Sequence, residues 1–285
     1  MFQRFTVAVF FTLFAIGLQA ATFRSSIDDS KWELEASKFS CRLSQVIPSF
    51  GNAVFEHEAG ESVRFVLKPT ENIHFQKGAQ LVAEAAPWQP GVTPRKITAV
   101  KPEHLSGDLN VETKHAQNML AALYKGMMPT FTASQWYGTN ESLRVSVSAV
   151  NFQSAYTDYV ACTAGLLPVN YRQVARTAIL FPSAAWRLSD SSRERLELIG
   201  LYVKNDDSVK GIYVDGHSDN MGRRLMNRDL SKRRAEEVTA YLINLGLDPN
   251  MITTRYHGER YPVVKNNNKE NRDRNRRVTI RLEKD

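Results

Sequence analysis

Ser231-Lys-Arg-Arg-Ala-Glu-Glu-Val-Thr-Ala-Tyr-Leu-Ile-Asn-Leu-Gly246 decides how the second half of the chain must be read. At 100° per residue, Ala235, Val238, Leu242 and Leu245 fall on one stripe and Gly246 supplies a stop, so a helix is expected over 231–246 with Ser231 as its N-cap. Arg233 lies about 160° from the middle of the stripe, on the solvent side, whereas Arg234 lies only about 60° away. A guanidinium is therefore directed along the packed side, in the first turn, where the positive end of the helix dipole opposes it. That placement calls for an anion. Asp219 is the nearest candidate, because it follows the strand-like run Gly211-Ile-Tyr-Val-Asp-Gly216 at the same end of the unit. Two readings follow: a structural Asp219–Arg234 ion pair, or two opposite charges facing one zwitterionic ligand, the carboxylate toward an ammonium and the guanidinium toward a carboxylate.

Outward from this helix, Ile179-Leu-Phe181 reads as a strand, and Ser189 caps a helix to about Val203 with Leu196, Ile199 and Val203 inward. The run 252–256 is another strand, and Val278-Thr-Ile280-Arg-Leu282 closes the chain with clean alternation. The order β-α-β-α-β-β predicts an α+β arrangement, an α/β sandwich with helices on one face of a mixed sheet. Residues 21–170 differ in character. Period-2 alternation in Trp32-Glu-Leu34-Glu-Ala36, Val63-Arg-Phe65-Val-Leu67 and Leu143-Arg-Val145-Ser-Val147-Ser-Ala149, with Gly and Pro between, predicts a mainly-β domain of sandwich or barrel type. One helix is expected near residues 115–124, where Met119, Leu120, Leu123 and Tyr124 share a face.

Charge separates the same two parts. The chain of 285 residues carries 37 Lys+Arg and 30 Asp+Glu, a formal net charge of +7. From Tyr171 onward there are 23 basic and 16 acidic side chains, so the first 170 residues are balanced and the whole excess lies in the last 115. Domains are accordingly expected at 21–170 and 171–285, preceded by an export signal. Residues 1–20 begin Met1-Phe-Gln-Arg4, continue as 14 uncharged apolar residues over 5–18, and end in small residues, the pattern of a signal peptide cleaved after Ala20. The run is shorter than the ~20 residues that span a bilayer, and no later run is apolar enough. Export to an oxidising compartment favours joining Cys41 to Cys162, the only cysteines.

Four motifs then carry a resemblance. Gly216-His-Ser-Asp219-Asn-Met-Gly222, Asn227-Arg-Asp-Leu230-Ser231-Lys-Arg-Arg234-Ala235, Tyr256-His-Gly258-Glu259-Arg-Tyr-Pro262 and Asn275-Arg276-Arg277-Val278 resemble, in order and spacing, the OmpA-like peptidoglycan-binding family. The resemblance implies a domain that holds the diaminopimelate of the wall peptide without cutting it. By match of motif, Asp219 takes the ligand ammonium and Arg234 its carboxylate, Asn227 and Arg277 line the same pocket, and Phe181 is the aromatic residue at its floor. Pro182 replaces the usual Asp or Asn, and Ser218 the usual Thr. Pro182 has neither an N–H nor a side-chain acceptor, so it removes one expected ligand contact.

In the first half, Ser30-Lys-Trp32, Ser40-Cys41-Arg-Leu43, Ile47-Pro48-Ser-Phe50-Gly51 and the late Cys162 resemble the MotY family of flagellar ring components. That resemblance implies a periplasmic ring at the flagellar basal body, the partner MotX, and stator proteins PomA and PomB recruited through it. Trp32, Phe50 and Trp136 are read as core, with interface anchors as the alternative. No cofactor or metal is expected, since nothing near the cysteines has zinc-site spacing. A wall hydrolase lacks support: there is no H-E-x-x-H, no G-x-S-x-G and no thiol outside the expected bridge. Nucleic-acid binding, suggested by Arg223-Arg224, Lys232-Arg-Arg234 and the arginines of 272–277, conflicts with export. An OmpA-like tether of another envelope machine remains the alternative to a motor component.

Overall fold

Cys41, Leu43, Gln45 and Ile47 alternate inward along one early strand, and this period-2 burial recurs through the first half of a computed structural model of the chain. The structure describes residues 21–70, 75, 78–103, 107–134 and 142–285. The signal segment expected over 1–20 and Trp136 lie outside them. Two compact units result. Of the described residues, the first comprises those up to Leu34, Arg42–Glu56 and Val63–Tyr159; the second comprises Glu35–Cys41, His57–Ser62 and Val160–Asp285. No described helix is long and apolar enough to cross a membrane.

The first half holds β1 (Ala21–Phe23), β2 (Trp32–Ala36), β3 (Ser40–Ile47), β4 (Gly51–Glu58), β5 (Arg64–Pro69), β6 (Ala79–Glu84), β7 (Arg95–Val100), β8 (Leu109–Val111), α1 (Thr113–Tyr124), β9 (Met128–Ala133), β10 (Leu143–Ser146) and α2 (Phe152–Ala164). The strands form two sheets, ordered β1-β10-β9-β6-β7 and β2-β3-β4-β5-β8. Phenylalanines join them: Phe65 lies 4.8 Å from Phe55 in its own sheet and 5.7 Å from Phe131 in the other. Phe50 is fully buried and Trp32 half-buried, its ring edge-on to Phe152 at 5.0 Å. Both therefore serve as core. The buried Gln45 amide is satisfied from both sides by the Ser148 backbone, accepting from its N–H at 2.7 Å and donating to its carbonyl at 3.1 Å. The Ser30 hydroxyl and the Trp32 indole N–H donate to Ser148 as well, so a serine and a tryptophan two residues apart meet at one point of the core.

Helix α2 is an addition to what periodicity shows. Only Phe152 and Tyr159 are buried along its 13 residues, too few for an apolar stripe. Its last turns are fastened covalently instead. Cys162 is bridged to Cys41 with Cα atoms 6.1 Å apart, and both cysteines belong to the second unit.

The second half contains α3 (Tyr171–Val174), β11 (Arg176–Leu180), α4 (Asp190–Asn205), β12 (Val209–Gly216), α5 (Arg224–Asn244), β13 (Ile252–Tyr256), α6 (Lys269–Asn275) and β14 (Arg277–Lys284). The sheet order is β11-β14-β12-β13, with β12 parallel to β13 and the other pairs antiparallel, so the sheet is mixed. Ile212, Val214, Val278, Ile280 and Leu282 meet Leu196, Ile199 and Val203 of α4 and Ala235, Val238 and Leu242 of α5 in one core. The other face is polar. There Tyr213 is flanked by the guanidinium groups of Arg255 and Arg281, at 5.1 and 4.5 Å. Ser189 caps α4 as expected, accepting from the Ser192 N–H.

Helix α5 begins at Arg224, seven residues before the expected start, and this corrects the placement of Ser231 as N-cap. Ser231 is a fully buried mid-helix residue whose hydroxyl donates to the Arg228 carbonyl and accepts the Gly258 N–H. The extra turns escape a periodicity reading because Leu225 and Met226 face solvent, 79% and 66% exposed, and so break the stripe.

Candidate functional site

Two glycines bring the four motifs together. A Cβ on Gly216 would lie 2.1 Å from the Ser231 carbonyl oxygen, so the end of β12 passes against the backbone of α5 at a distance only glycine permits. Gly258, at φ +60°, packs more loosely against the Arg228 backbone, where an added Cβ would lie 3.3 Å from its N and Cα. The Ser218 N–H donates to the Gly258 carbonyl at 2.8 Å, and the Asn227 amide donates to Glu259 at 2.9 Å. Asn275, fully buried, accepts from the N–H groups of Val263 and Val264 and donates to Val264 and Asn266, holding the loop ahead of α6. The motif residues thus build the walls of a site as well as its contact groups.

A cavity of about 630 Å³ opens there. Asp219, Asn227, Arg234 and Arg276 are among its polar lining, with Trp186 and Leu225 among its apolar lining. Arg234 is fully buried, as its angle on the helix predicts, and Arg233 is exposed. Because α5 starts early, Arg234 lies deep within the helix, beyond the first turn in which the dipole acts. Its guanidinium donates to three backbone carbonyls: Nε to Ala185 at 2.8 Å, Nη1 to His217 at 3.2 Å and Nη2 to Pro182 at 3.0 Å. It also lies over the Phe181 ring at 5.2 Å. A guanidinium has five N–H donors, so one on each terminal nitrogen remains, the geometry of a two-point carboxylate clamp. Burial and the nearby Arg276 push the Arg234 pKa down to about 10, against the pull of Asp219.

Of the two readings open at Asp219 and Arg234, a direct ion pair between them does not form. Asp219 pairs with Arg276, Nη1 to Oδ2 at 2.8 Å, while its Oδ1 accepts the Met221 N–H at 3.1 Å. Arg276 donates as well to the Phe181 carbonyl and to Asp273. Burial works against the charged form of Arg276, yet these two carboxylates outweigh it and raise its pKa. The carboxylate is thereby held in place with lone pairs left over, since an ionised carboxylate accepts about four hydrogen bonds.

Of the expected ligand-binding residues, Asp219, Asn227 and Arg234 come together in the cavity wall, Phe181 lies beneath Arg234, and Arg277 points elsewhere. The Arg277 side chain donates to Thr279 and to the carbonyls of Asn275 and Tyr261. Its neighbour Arg276 holds the cavity position. Strand parity carried part of the signal: Arg277, the first residue of β14, is out of phase with Val278, Ile280 and Leu282, which face the helices, while Arg276 precedes the strand as the C-cap of α6. Pro182, though it offers no N–H, contributes its carbonyl to Arg234.

His217 is 6% exposed and stacks on His257 with centroids 5.0 Å apart. Burial, then the positive charge of Arg277, lowers its pKa from 6.5 to about 4. The unfolded chain therefore takes up a proton near pH 6.5 that the folded chain refuses until about pH 4, so stability is full above that window and is lost as pH falls through it. A series of denaturant melts between pH 7 and 4 should show this decline, and His217→Gln should flatten it.

Two family models match separate stretches of the chain. Residues 23–168 match the MotY N-terminal domain and residues 180–276 the OmpA family. The chain is 31% identical, over 89% of its length and 87% of the relative's, to the sodium-type flagellar protein MotY of Vibrio parahaemolyticus. It is 37% identical to outer membrane protein A of Bordetella avium over 33% of this chain and 48% of that protein. Among solved structures, the C-terminal domain of Helicobacter pylori MotB is similar over 38% of this chain and 85% of that chain, with 26% identity and a TM-score of 0.36. The chain belongs to the MotY family, with a MotY N-terminal domain followed by a domain of the OmpA family.

Proposed function

We propose that the chain is a non-enzymatic component of the flagellar motor that anchors in the periplasm to peptidoglycan. Residues 171–285 hold the diaminopimelate side chain of the wall peptide, its ammonium on Asp219 and its carboxylate on Arg234, with Asn227 beside them and Arg276 steadying the aspartate. Residues 21–170 join MotX at the basal body and, through MotX, help to keep PomA and PomB stator units in place. Torque on a rotating shaft must be reacted against something stiff, and the covalent wall is the stiff material of that compartment.

One observation carries the wall-binding reading. Arg234 is a fully buried cation at the wall of a cavity, bonded to carbonyls and to no carboxylate among the described residues. Burying a charge without a countercharge is costly, and a ligand carboxylate supplies the missing one. Each charge-assisted bond contributes about 1.5–3 kcal/mol, and the repeated ligand of one polymer adds avidity.

The mature chain should sediment with purified sacculi, release no fragments into the supernatant, and be displaced by millimolar free meso-diaminopimelate. Sedimentation unaffected by the free amino acid excludes the pocket, and soluble muropeptides in the supernatant mark a hydrolase.

A further inference from the structure

A second cavity, of about 500 Å³, lies beside the first and shares Leu225 as a wall. It is lined by Arg224 and Arg228 of α5 and by the loop from Tyr256 to Tyr261, including Arg260. Arg224, Arg228 and Arg260 are exposed, and none of these three guanidinium groups has a carboxylate partner among the described residues. Glu259, the single carboxylate in the lining, already accepts from Asn227. Arg228 stands over the Tyr256 ring at 5.4 Å, with Lys232 over the same ring at 5.9 Å, so the aromatic face gathers cations toward the cavity. Three unpaired cations converging on one concave site form a receptor for an anion.

We propose that this cavity is an anion subsite that takes a second carboxylate of the same wall peptide, the free α-carboxylate of the γ-linked glutamate adjoining the diaminopimelate. This rests on the reading of the first cavity. The shared Leu225 wall decides the occupant: a group held here belongs to something that also reaches Asp219 and Arg234, and in a wall peptide the nearest free anion is one residue from the zwitterion. A guanidinium meets a carboxylate with two parallel bonds, so the subsite distinguishes the acid from its amide, which keeps the shape and loses the charge. Binding in two steps on one short tether gives the peptide an advantage over free diaminopimelate without any change in the first cavity.

The test compares three soluble ligands on the full mature chain by calorimetry: meso-diaminopimelate, the tripeptide L-Ala-γ-D-Glu-meso-diaminopimelate, and the same tripeptide with the glutamyl α-carboxylate amidated. The acid tripeptide should bind about tenfold tighter than the amide, one charge-assisted contact. Arg228→Gln with Arg260→Gln should erase that ratio and leave the affinity for diaminopimelate unchanged. Equal affinities for acid and amide in the wild type, or a ratio that survives the double substitution, overturn the subsite. So does the absence of discrimination together with an arginine-dependent adsorption to anionic phospholipid vesicles, which assigns the cavity to a lipid phosphate. A wild-type chain that binds none of the three ligands overturns the first cavity's reading and this one with it.

Discussion

Arg234→Lys should lower affinity for free diaminopimelate by roughly 10- to 100-fold while the fold persists, because a lysine retains the charge but loses the fork. The estimate follows from losing one charge-assisted bond of about 1.5–3 kcal/mol, at 1.4 kcal/mol per factor of ten. Sedimentation with sacculi should fall more steeply, since avidity multiplies a loss at every engaged copy. Arg234→Met separates the structural part of the role. It leaves the carbonyls of Pro182, Ala185 and His217 without their donor, at roughly 1–3 kcal/mol for each that stays buried. The methionine variant should therefore lose both binding and thermal stability, whereas the lysine variant should lose chiefly binding. Circular dichroism melts run beside calorimetry with diaminopimelate distinguish the two, and a lysine variant that binds like wild type removes Arg234 from the ligand site.

Breaking the Cys41–Cys162 bridge should cost the second unit about 2–5 kcal/mol, the usual range for removing a native disulfide. The separation of 121 residues places this bridge among long-loop closures, for which the chain-entropy account gives about 5 kcal/mol as an upper figure. Cys41→Ala with Cys162→Ala should lower the melting temperature by roughly 5–15 °C for a domain of this size, and reduction of the wild type should reproduce the shift. The effect should be greatest at α2. With only Phe152 and Tyr159 buried, that helix has little apolar anchorage of its own, so its amides should lose hydrogen-exchange protection before those of β12 and β14. Equal protection of α2 in bridged and unbridged chains shows that packing alone holds it.

How much of this was legible in the chain depended on whether a single element carried the information. The burial of Arg234 beside an exposed Arg233 followed from 100° steps along one helix, and the strand β14 from alternation within it. Helix α2 stayed hidden because its fastening is a bond to a distant strand rather than a stripe of its own. The early start of α5 stayed hidden because its first turns serve a cavity, so their apolar side chains meet solvent and the periodicity fails.

Local pattern along the chain was enough to establish the mixed sheet with its helices, the two-part division of charge, and the identity of a buried guanidinium that needs an anion. Which carboxylate answers which guanidinium was decided by packing. Asp219 is claimed by Arg276, the C-cap of α6, 57 residues away, and Arg234 is met by carbonyls brought from the ends of β11 and β12. Ion pairs and hydrogen bonds depend on ångström distances between segments remote in sequence, and those distances exist only once the glycine contacts at 216 and 258 have closed strand and helix together.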